Sequence, residues 1–272
     1  MTRLLADDLS AGYDGRSVLA HQHLAVPDGA ITTIIGPNGC GKSTLLRALA
    51  RLLPAQTGVV KLDGVDIRSL PPKKVAQTLG LLPQQPIAPE GLLVADLVAR
   101  GRHPHQSWYR QSTSDDAAAI DRALELTSTT ELADRTLESL SGGQRQRVWI
   151  ALTLAQETDL LLLDEPTTYL DLAHSVEVLD LVHDLKHRHH KTVVMVLHDL
   201  NLAARYSDHI VVMSDGAVIT QGTPREILTA DLLERAFGLK SVVVDDPVSG
   251  GPLVVPIGTR PGSDSPRGAE GK

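Results

Sequence analysis

The stretch GPNGCGKST at residues 36–44 carries residue types that bind polyphosphate. It matches the phosphate-loop pattern G-x-x-x-x-G-K-S/T completely, from Gly36 to Ser43. The backbone N–H groups of such a loop point inward and, with the positive end of the following helix, can bind a polyphosphate. Lys42 adds a positive charge for the β- and γ-phosphates, and the Ser43 hydroxyl can ligate Mg²⁺. An apolar run precedes the loop and a leucine-rich run follows it, so we expect strand, turn and helix, and a phosphate site rather than an ordinary helix cap.

Three further apolar runs lead into polar side chains: the first into Gln84, the second into Asp164 and Glu165, and the third into His198. In a phosphate-loop protein, an acid directly after a buried strand can hold Mg²⁺. Glu165, one residue further on, can polarise an attacking water. Ligands of open α/β sheets bind outside the carboxyl ends of the strands. We therefore expect these side chains and the phosphate loop to share one crevice.

The stretch LSGGQRQR, residues 140–147, leads into a segment rich in Ala and Leu that predicts a helix. Ser141 is a suitable N-cap, and the two glycines after it leave the backbone open for a second anion site at a helix N-terminus. Capping alone would not require Gly142, Gly143 and Gln144 in succession. The stretch therefore predicts a second turn that faces a phosphate.

The order of strand-like and helix-like segments predicts an α/β fold. The first thirty residues look like short strands and turns, and residues 57–67 look like a hairpin that turns at Asp63-Gly64. From about residue 86 to 156, apolar residues recur at helical spacing, which predicts a helical insertion. The stretch GRHPHQSWYR, residues 101–110, is expected to form an exposed loop between the helices of this insertion.

The composition is that of a globular protein, with 272 residues, 42% hydrophobic and 22% charged. The net charge of −7 gives no electrostatic reason to expect binding to nucleic acid or to anionic lipid. Cys40 is the single cysteine, which excludes an intrachain disulfide and suits a reducing cytoplasm. No apolar stretch reaches the roughly 18–20 residues that cross a bilayer, and the N-terminus carries acids where a signal peptide would be apolar. We expect a cytoplasmic protein unless a partner brings it to a membrane.

Other side chains allow both a functional and a structural interpretation. Tyr13 lies at a predicted turn ahead of the phosphate loop and could stack on a nucleobase, although taken alone it is better explained as a core or surface tyrosine. His21 and His23 are interpreted as solvated strand residues because no third metal ligand is evident. The tract HRHH at 187–190 is interpreted as a solvated helix end rather than a metal site.

The phosphate loop, Gln84, LSGGQ, LLLLDEP and His198, in that order around a helical insertion, resemble the nucleotide-binding subunit of an ATP-binding cassette transporter. The resemblance covers nearly the whole chain, and LSGGQ is its most specific part. It implies a P-loop NTPase with a RecA-like core, an N-terminal antiparallel β subdomain and an inserted α-helical subdomain. The implied divisions are one nucleotide-binding domain at 1–240 (core 1–85 and 157–240, helical subdomain about 86–156), a short extension at 241–258 and a disordered tail at 259–272.

The resemblance also implies ATP and Mg²⁺ as cofactors and assigns roles to residues. Glu165 would be the general base for water, His198 would contact the γ-phosphate, and Gln84 and Lys42 complete the catalytic set. Mg²⁺ would be held by Ser43, Gln84 and Asp164. The residues implied to bind nucleotide are Tyr13 (adenine stacking), Gly36, Asn38, Gly39, Cys40, Gly41, Lys42, Ser43, Thr44, Gln84, Asp164, Ser141 and Gly143.

Partners follow from the same resemblance. Two cassettes face head to tail, so Ser141 and Gly143 of one subunit should close over ATP held by a second copy or a paired cassette. Residues 169–171, just after the DEP segment, match a loop that crosses this interface. Integral membrane permease subunits would dock near residues 84–110, an extracytoplasmic solute-binding protein would act indirectly, and no nucleic acid is involved. The subunit would be peripheral, at the cytoplasmic face of the cell's inner membrane.

Among transporters, the stretches VARGRHPHQ, DEPTTYLD, LHDLN and DDPVSGGPLVVP look like cassettes of bacterial ferric-siderophore importers. Cobalamin and haem importers are relatives in the same group and stay open as alternatives. An exporter is the rival within transport, and the lack of a fused membrane domain favours import. A soluble cassette ATPase of translation or repair is a rival of another class. One cassette, a short insertion and net negative charge count against it.

Overall fold

The computed structural model describes residues 2–106 and 113–258. The strands are β1 (Thr2–Tyr13), β2 (Arg16–Pro27), β3 (Ile31–Ile35), β4 (Thr57–Leu62), β5 (Val65–Asp66), β6 (Leu79–Leu82), β7 (Leu160–Leu163), β8 (Thr192–Val196), β9 (His209–Ser214), β10 (Ala217–Gly222), β11 (Lys240–Asp245) and β12 (Pro252–Gly258). The helices are α1 (Lys42–Leu49), α2 (Pro72–Ala76), α3 (Val94–Ala99), α4 (Ser114–Leu126), α5 (Gly142–Ala155), α6 (Leu172–His189), α7 (Leu200–Tyr206), α8 (Pro224–Ile227) and α9 (Ala230–Phe237). Short 3₁₀ turns lie at Arg100–Arg102, Thr130–Leu132 and Leu137–Ser139.

The central sheet has six strands in the order β10-β9-β3-β8-β7-β6. Strands β6, β7, β8, β3 and β9 pair in parallel, and β10 is an antiparallel edge strand. Every residue of β3, β7 and β8 is buried, as expected for parallel strands covered on both faces. The carboxyl ends of β3, β6, β7 and β8 therefore meet at one edge of the sheet. This confirms the expectation drawn from the polar residues that follow each of these strands in the sequence.

Hydrophobic clusters cover the two faces of this sheet, and alternate residues of each strand point into them. On β7, Leu161 and Leu163 point into the cluster with α5 and α6, whereas Leu160 and Leu162 point into the cluster with α1, β1 and β2. The predicted α/β fold, with an N-terminal antiparallel sheet and a helical insertion, is confirmed. The exact domain boundaries stay a prediction. None of the described helices combines the length and the apolar character that a bilayer crossing requires.

The antiparallel sheet has the order β2-β1-β4-β5. The expectation of short strands over the first thirty residues was wrong, because β1 and β2 are 12 residues each. The β1–β2 register shifts several times along the ladder, so the apolar alternation is broken and the strands look shorter in sequence than they are. The turn at Asp63-Gly64 between β4 and β5 is confirmed.

The helical insertion contains α3, α4 and α5, which pack on one another, and α5 also packs on α6. The expectation of an exposed loop at 101–110 was wrong for its first two residues, since Gly101 and Arg102 are buried. The Arg102 guanidinium forms ion pairs with Asp116 at 2.8 Å and with Glu157 at 2.7 Å. These ion pairs allow the arginine to be buried, because they compensate its charge. Both partners are distant in sequence, so the burial is not visible in the local pattern. Residues 107–110 of the predicted loop lie outside the described residues.

Strands β11 and β12 form a C-terminal hairpin that packs on α7 and α9. The Asn201 side chain of α7 pairs with the backbone of Val254, donating at 3.1 Å and accepting at 2.7 Å. Arg205 adds an ion pair to Asp246 at 2.7 Å. The hairpin is thus tied to the helix that follows His198. The predicted disordered tail, 259–272, lies outside the described residues.

Candidate active site

The phosphate loop leaves the carboxyl end of β3 and enters α1 at Lys42. Gly39 and Gly41 have φ of 79° and 98°, in the left-handed region where glycine is favoured, and a turn of this kind can present backbone N–H groups to an anion. The Lys42 ammonium is buried beneath the loop and donates to the carbonyl oxygens of Gly36 and Pro37, at 2.8 and 2.9 Å. A positive charge is therefore held at the centre of an open turn, which is the arrangement that receives phosphate.

A cavity of about 790 Å³ opens above this loop. Its lining combines the loop with the side chains that end neighbouring strands, as the sequence predicted. It is lined by Val18, Gly36, Pro37, Asn38, Gly39, Gly41, Lys42, Ser43, Thr44, Gln84, Glu165, His198 and Phe237. The dimensions fit a nucleotide polyphosphate, since ligand pockets commonly measure about 300–1,000 Å³.

The Glu165 carboxylate lies at the cavity and accepts hydrogen bonds from three side chains. Gln84 Nε2 donates at 2.6 Å and Thr168 Oγ1 at 2.8 Å, and His198 Nε2 lies 2.7 Å from the other oxygen. Burial favours the neutral acid, but the bonds from Thr168, His198 and Gln84 outweigh it and hold the pKa of Glu165 below its ordinary value. Glu165 also has φ of 54°, a strained backbone conformation of a kind that clusters at functional sites.

Asp164, one residue earlier, is buried and accepts a hydrogen bond from Ser43 Oγ at 2.9 Å. Burial, with a further contribution from the charge of Glu165, raises the pKa of Asp164 above its ordinary value despite this bond. The Ser43 hydroxyl, the Gln84 carboxamide and the Asp164 carboxylate supply the oxygen ligands that Mg²⁺ prefers. Because Ser43 and Asp164 already lie within hydrogen-bond distance of each other, the residues present fit the ion.

Some expected site residues lie outside the described lining of this cavity. Tyr13 ends β1, is 41% exposed, and its hydroxyl accepts a hydrogen bond from Arg47 of α1 at 3.3 Å. Cys40 is buried under the loop, and burial raises the pKa of its thiol. Ser141 and Gly143 lie at the N-terminus of α5 and are not part of the described lining of the cavity in their own chain. They could contact a nucleotide only in the corresponding cavity of a second subunit.

Ser141 is the N-cap of α5, as predicted. Gln144 completes a capping box: its backbone N–H donates to Ser141 Oγ at 3.3 Å, and its Oε1 accepts from the Ser141 backbone N–H at 3.1 Å. The expectation that capping alone would not require Gln144 was therefore wrong. Capping leaves the two glycines unexplained; they carry no side chains of their own at this helix end.

Sequence reasoning missed Thr168, which bonds to Glu165, and two residues that line the cavity from other elements. Thr168 donates to Glu165, and its position three residues after an acid at a strand end was a usable indication. Val18 on β2 and Phe237 at the end of α9 line the cavity from elements remote in sequence. Nothing in the local pattern of either residue indicates this placement.

The fold and this cavity define the chain as an ATPase of the P-loop class, with a phosphate loop beside a hydrogen-bonded carboxylate. Within that class the chain belongs to the ABC transporter family, whose pattern matches residues 19–168. The resemblance drawn from the motifs is thereby confirmed.

Comparison with known proteins extends the likeness beyond the matched region. The chain is 48% identical over 258 residues to the ferric enterobactin transport ATP-binding protein FepC of Escherichia coli (strain K12), covering 95% of each chain. It is 46% identical over 253 residues to the iron(3+)-hydroxamate import ATP-binding protein FhuC of Bacillus subtilis (strain 168), covering 93% of this chain and 94% of the relative. The dimeric structure of a bacterial ABC transporter cassette is similar with a TM-score of 0.71 and 27% identity, over 81% of this chain and 98% of that one.

Proposed function

We propose that this chain is the ATP-hydrolysing subunit of an importer that takes up an iron–siderophore complex. The observation that carries the ATPase part is the Glu165 carboxylate, held by Gln84, Thr168 and His198 at the cavity above the phosphate loop. The cargo is inferred from the names of the two relatives, one for ferric enterobactin transport and one for iron(3+)-hydroxamate import.

In the proposed reaction, backbone N–H groups of the loop and Lys42 hold the phosphates of ATP. Glu165 accepts a proton from the attacking water, and His198 contacts the γ-phosphate. The hydrogen bonds that lower the pKa of Glu165 hold its carboxylate in place and ionised, so that it can accept a proton from water. Phosphoryl transfer depends mainly on positioning and charge stabilisation, which this set of fixed donors supplies.

Mg²⁺ would be held by Ser43, Gln84 and Asp164, and it would neutralise charge on the phosphate oxygens. The Ser43–Asp164 bond holds two of these oxygens 2.9 Å apart. Tyr13 is proposed to stack on adenine at the open side of the loop. Its exposure of 41% leaves its ring available for such stacking.

The working unit is proposed to be a head-to-tail dimer in which Ser141 and Gly143 of one subunit close over ATP bound by the other. The similar dimeric cassette supports this arrangement. ATP then closes the dimer and hydrolysis loosens it, so that attached permease subunits change their access. A solute-binding protein would deliver the cargo outside. The chain would act at the cytoplasmic face of the inner membrane, with the nucleotide-binding domain over 1–240 and an extension over 241–258.

Cobalamin or haem import is the second candidate for the cargo, because the ligand does not touch this subunit and its chemistry therefore leaves no trace in the cavity. The test is to reconstitute the chain with its permease and solute-binding protein in vesicles and follow radioactive iron–siderophore uptake. We expect uptake that requires ATP and is abolished by Lys42→Ala. ATP hydrolysis without iron uptake would reject the cargo and retain the ATPase. Outward movement of the iron complex would reject import.

A further inference from the structure

The ring of His174, on the first turn of α6, lies between two loops that the dimer would use. One is the signature turn, residues 141–143, and the other is the crossing loop, residues 169–171. Both belong to the same chain. This inference rests on the proposed head-to-tail dimer, in which both loops face the partner subunit.

The contact with the signature turn is close. A β-carbon on Gly143 would lie 2.5 Å from Cδ2 of His174 and 3.0 Å from its Cγ, so a larger residue at 143 would require the imidazole to move. The imidazole therefore occupies the space that a side chain at position 143 would need. A β-carbon on Gly142 would lie 3.7 Å from Leu170 Cδ2, an ordinary van der Waals distance, so the crossing loop lies next to this glycine as well.

The contact with the crossing loop is polar. Asp171 is the N-cap of α6, and its Oδ1 accepts the backbone N–H of His174 at 2.9 Å. The same oxygen lies 2.8 Å from Nδ1 of the His174 ring. Capping requires only the backbone bond. The ring bond is additional, and it fixes the tautomer and the plane of the imidazole so that the Cδ2 edge meets Gly143.

The crossing loop is tied in turn to the catalytic carboxylate. Thr168, directly before the loop, donates to Glu165 at 2.8 Å. A continuous set of contacts thus runs from Glu165, which acts on the chain's own ATP, to Gly143, which would act on the partner's ATP. We propose that His174 is a positioning residue that fixes the signature turn relative to the crossing loop and thereby sets the geometry of the partner's active site.

The test uses three full-length variants. His174→Ala removes both contacts. His174→Asn keeps an N–H near the position of Nδ1 and so restores the bond to Asp171. His183→Ala is the matched control, because His183 is an exposed histidine on the same helix, away from both loops. Each is assayed for kcat and KM of ATP hydrolysis and, separately, for nucleotide affinity.

We expect His174→Ala to lower kcat by about 10- to 100-fold, the size of effect that an ångström-scale displacement produces. Nucleotide affinity should stay at the control value, because the chain's own phosphate loop is untouched. His174→Asn should recover part of the lost kcat.

A kcat for His174→Ala equal to that of the control would overturn the inference. A fall in nucleotide affinity as large as the fall in kcat would also overturn it, because that would indicate general damage. If the wild type hydrolyses ATP and His174→Ala has an unchanged kcat, the proposed function stands and only this inference is rejected. A wild type without turnover removes both.

Discussion

Replacing Glu165 with glutamine preserves the shape of the side chain and removes its charge. In the structure the Glu165 carboxylate accepts hydrogen bonds from Gln84 Nε2 at 2.6 Å, Thr168 Oγ1 at 2.8 Å and His198 Nε2 at 2.7 Å. A glutamine has one acceptor oxygen, so at least one of these donors loses its partner. A lost buried hydrogen bond costs about 1–3 kcal/mol, which a folded domain of this size tolerates.

The larger effect should fall on turnover. A positioned general base contributes about 10²–10⁴-fold, which is about 2.7–5.4 kcal/mol of activation free energy. We therefore expect Glu165→Gln to lower kcat by that factor. ATP binding should persist, because Lys42 and the loop N–H groups do not contact the substituted atom. Loss of the negative charge should if anything favour the bound polyphosphate.

The assay measures phosphate release at saturating ATP and, in parallel, the affinity for a fluorescent ATP analogue. Glu177→Gln is the matched control, since this half-exposed glutamate of α6 pairs only with Arg147 among the described residues, at 3.2 Å. Turnover of Glu165→Gln equal to that of the control would refute the base assignment. Equal losses of turnover and of nucleotide affinity would instead indicate damage to the loop.

Three further predictions follow from other contacts. Lys42→Ala should abolish tight nucleotide binding in equilibrium titration, and unchanged affinity would contradict the phosphate-loop assignment. Arg102→Met should lower the free energy of unfolding in urea by about 3–5 kcal/mol, because it leaves Asp116 buried and unpaired, whereas a loss under about 1 kcal/mol would show that the pair is not needed. Arg102, with backbone and hydroxyl bonds from Thr113, holds the pKa of Asp116 below its ordinary value. The contribution of the Asp116 carboxylate to stability is thus complete above its unfolded pKa of about 3.9 and is lost as the pH falls from there through the lower folded pKa. The free energy of unfolding should therefore depend less steeply on acid pH in Arg102→Met.

Much of the site could be predicted because it depends on local patterns. The phosphate loop is contiguous, and Gln84, Asp164 and His198 each follow an apolar run whose strand is buried. Knowing that parallel strands share an edge was sufficient to bring them together. The capping role of Ser141 was visible for the same reason, since the capping box spans only four residues.

The remainder depends on contacts between residues distant in sequence. Phe237 reaches the cavity only because α9 packs against the central sheet, and Arg102 is buried only because Asp116 and Glu157 converge on it. The ring of His174 follows the same logic, because its helix and the signature turn are adjacent only after folding. A hydrophobic pattern shows which face of an element is buried, but it does not show which polar side chain will contact that face in the folded protein.

Strand β3, which carries the phosphate loop, has a further consequence for biosynthesis. Its two neighbours in the sheet are β8 and β9, paired from Ile31 with Val193 and from Ile35 with Val212. A ribosome makes these partners more than half a chain later, and at bacterial or eukaryotic speeds that delay is on the order of ten seconds or more. During that interval β3 lacks both of its neighbouring strands, β8 and β9, and the phosphate loop that follows it is not supported by the central sheet. We therefore expect nucleotide recognition to be among the last properties that the nascent chain acquires, and the unpaired strand to be prone to aggregation until β9 has been synthesised.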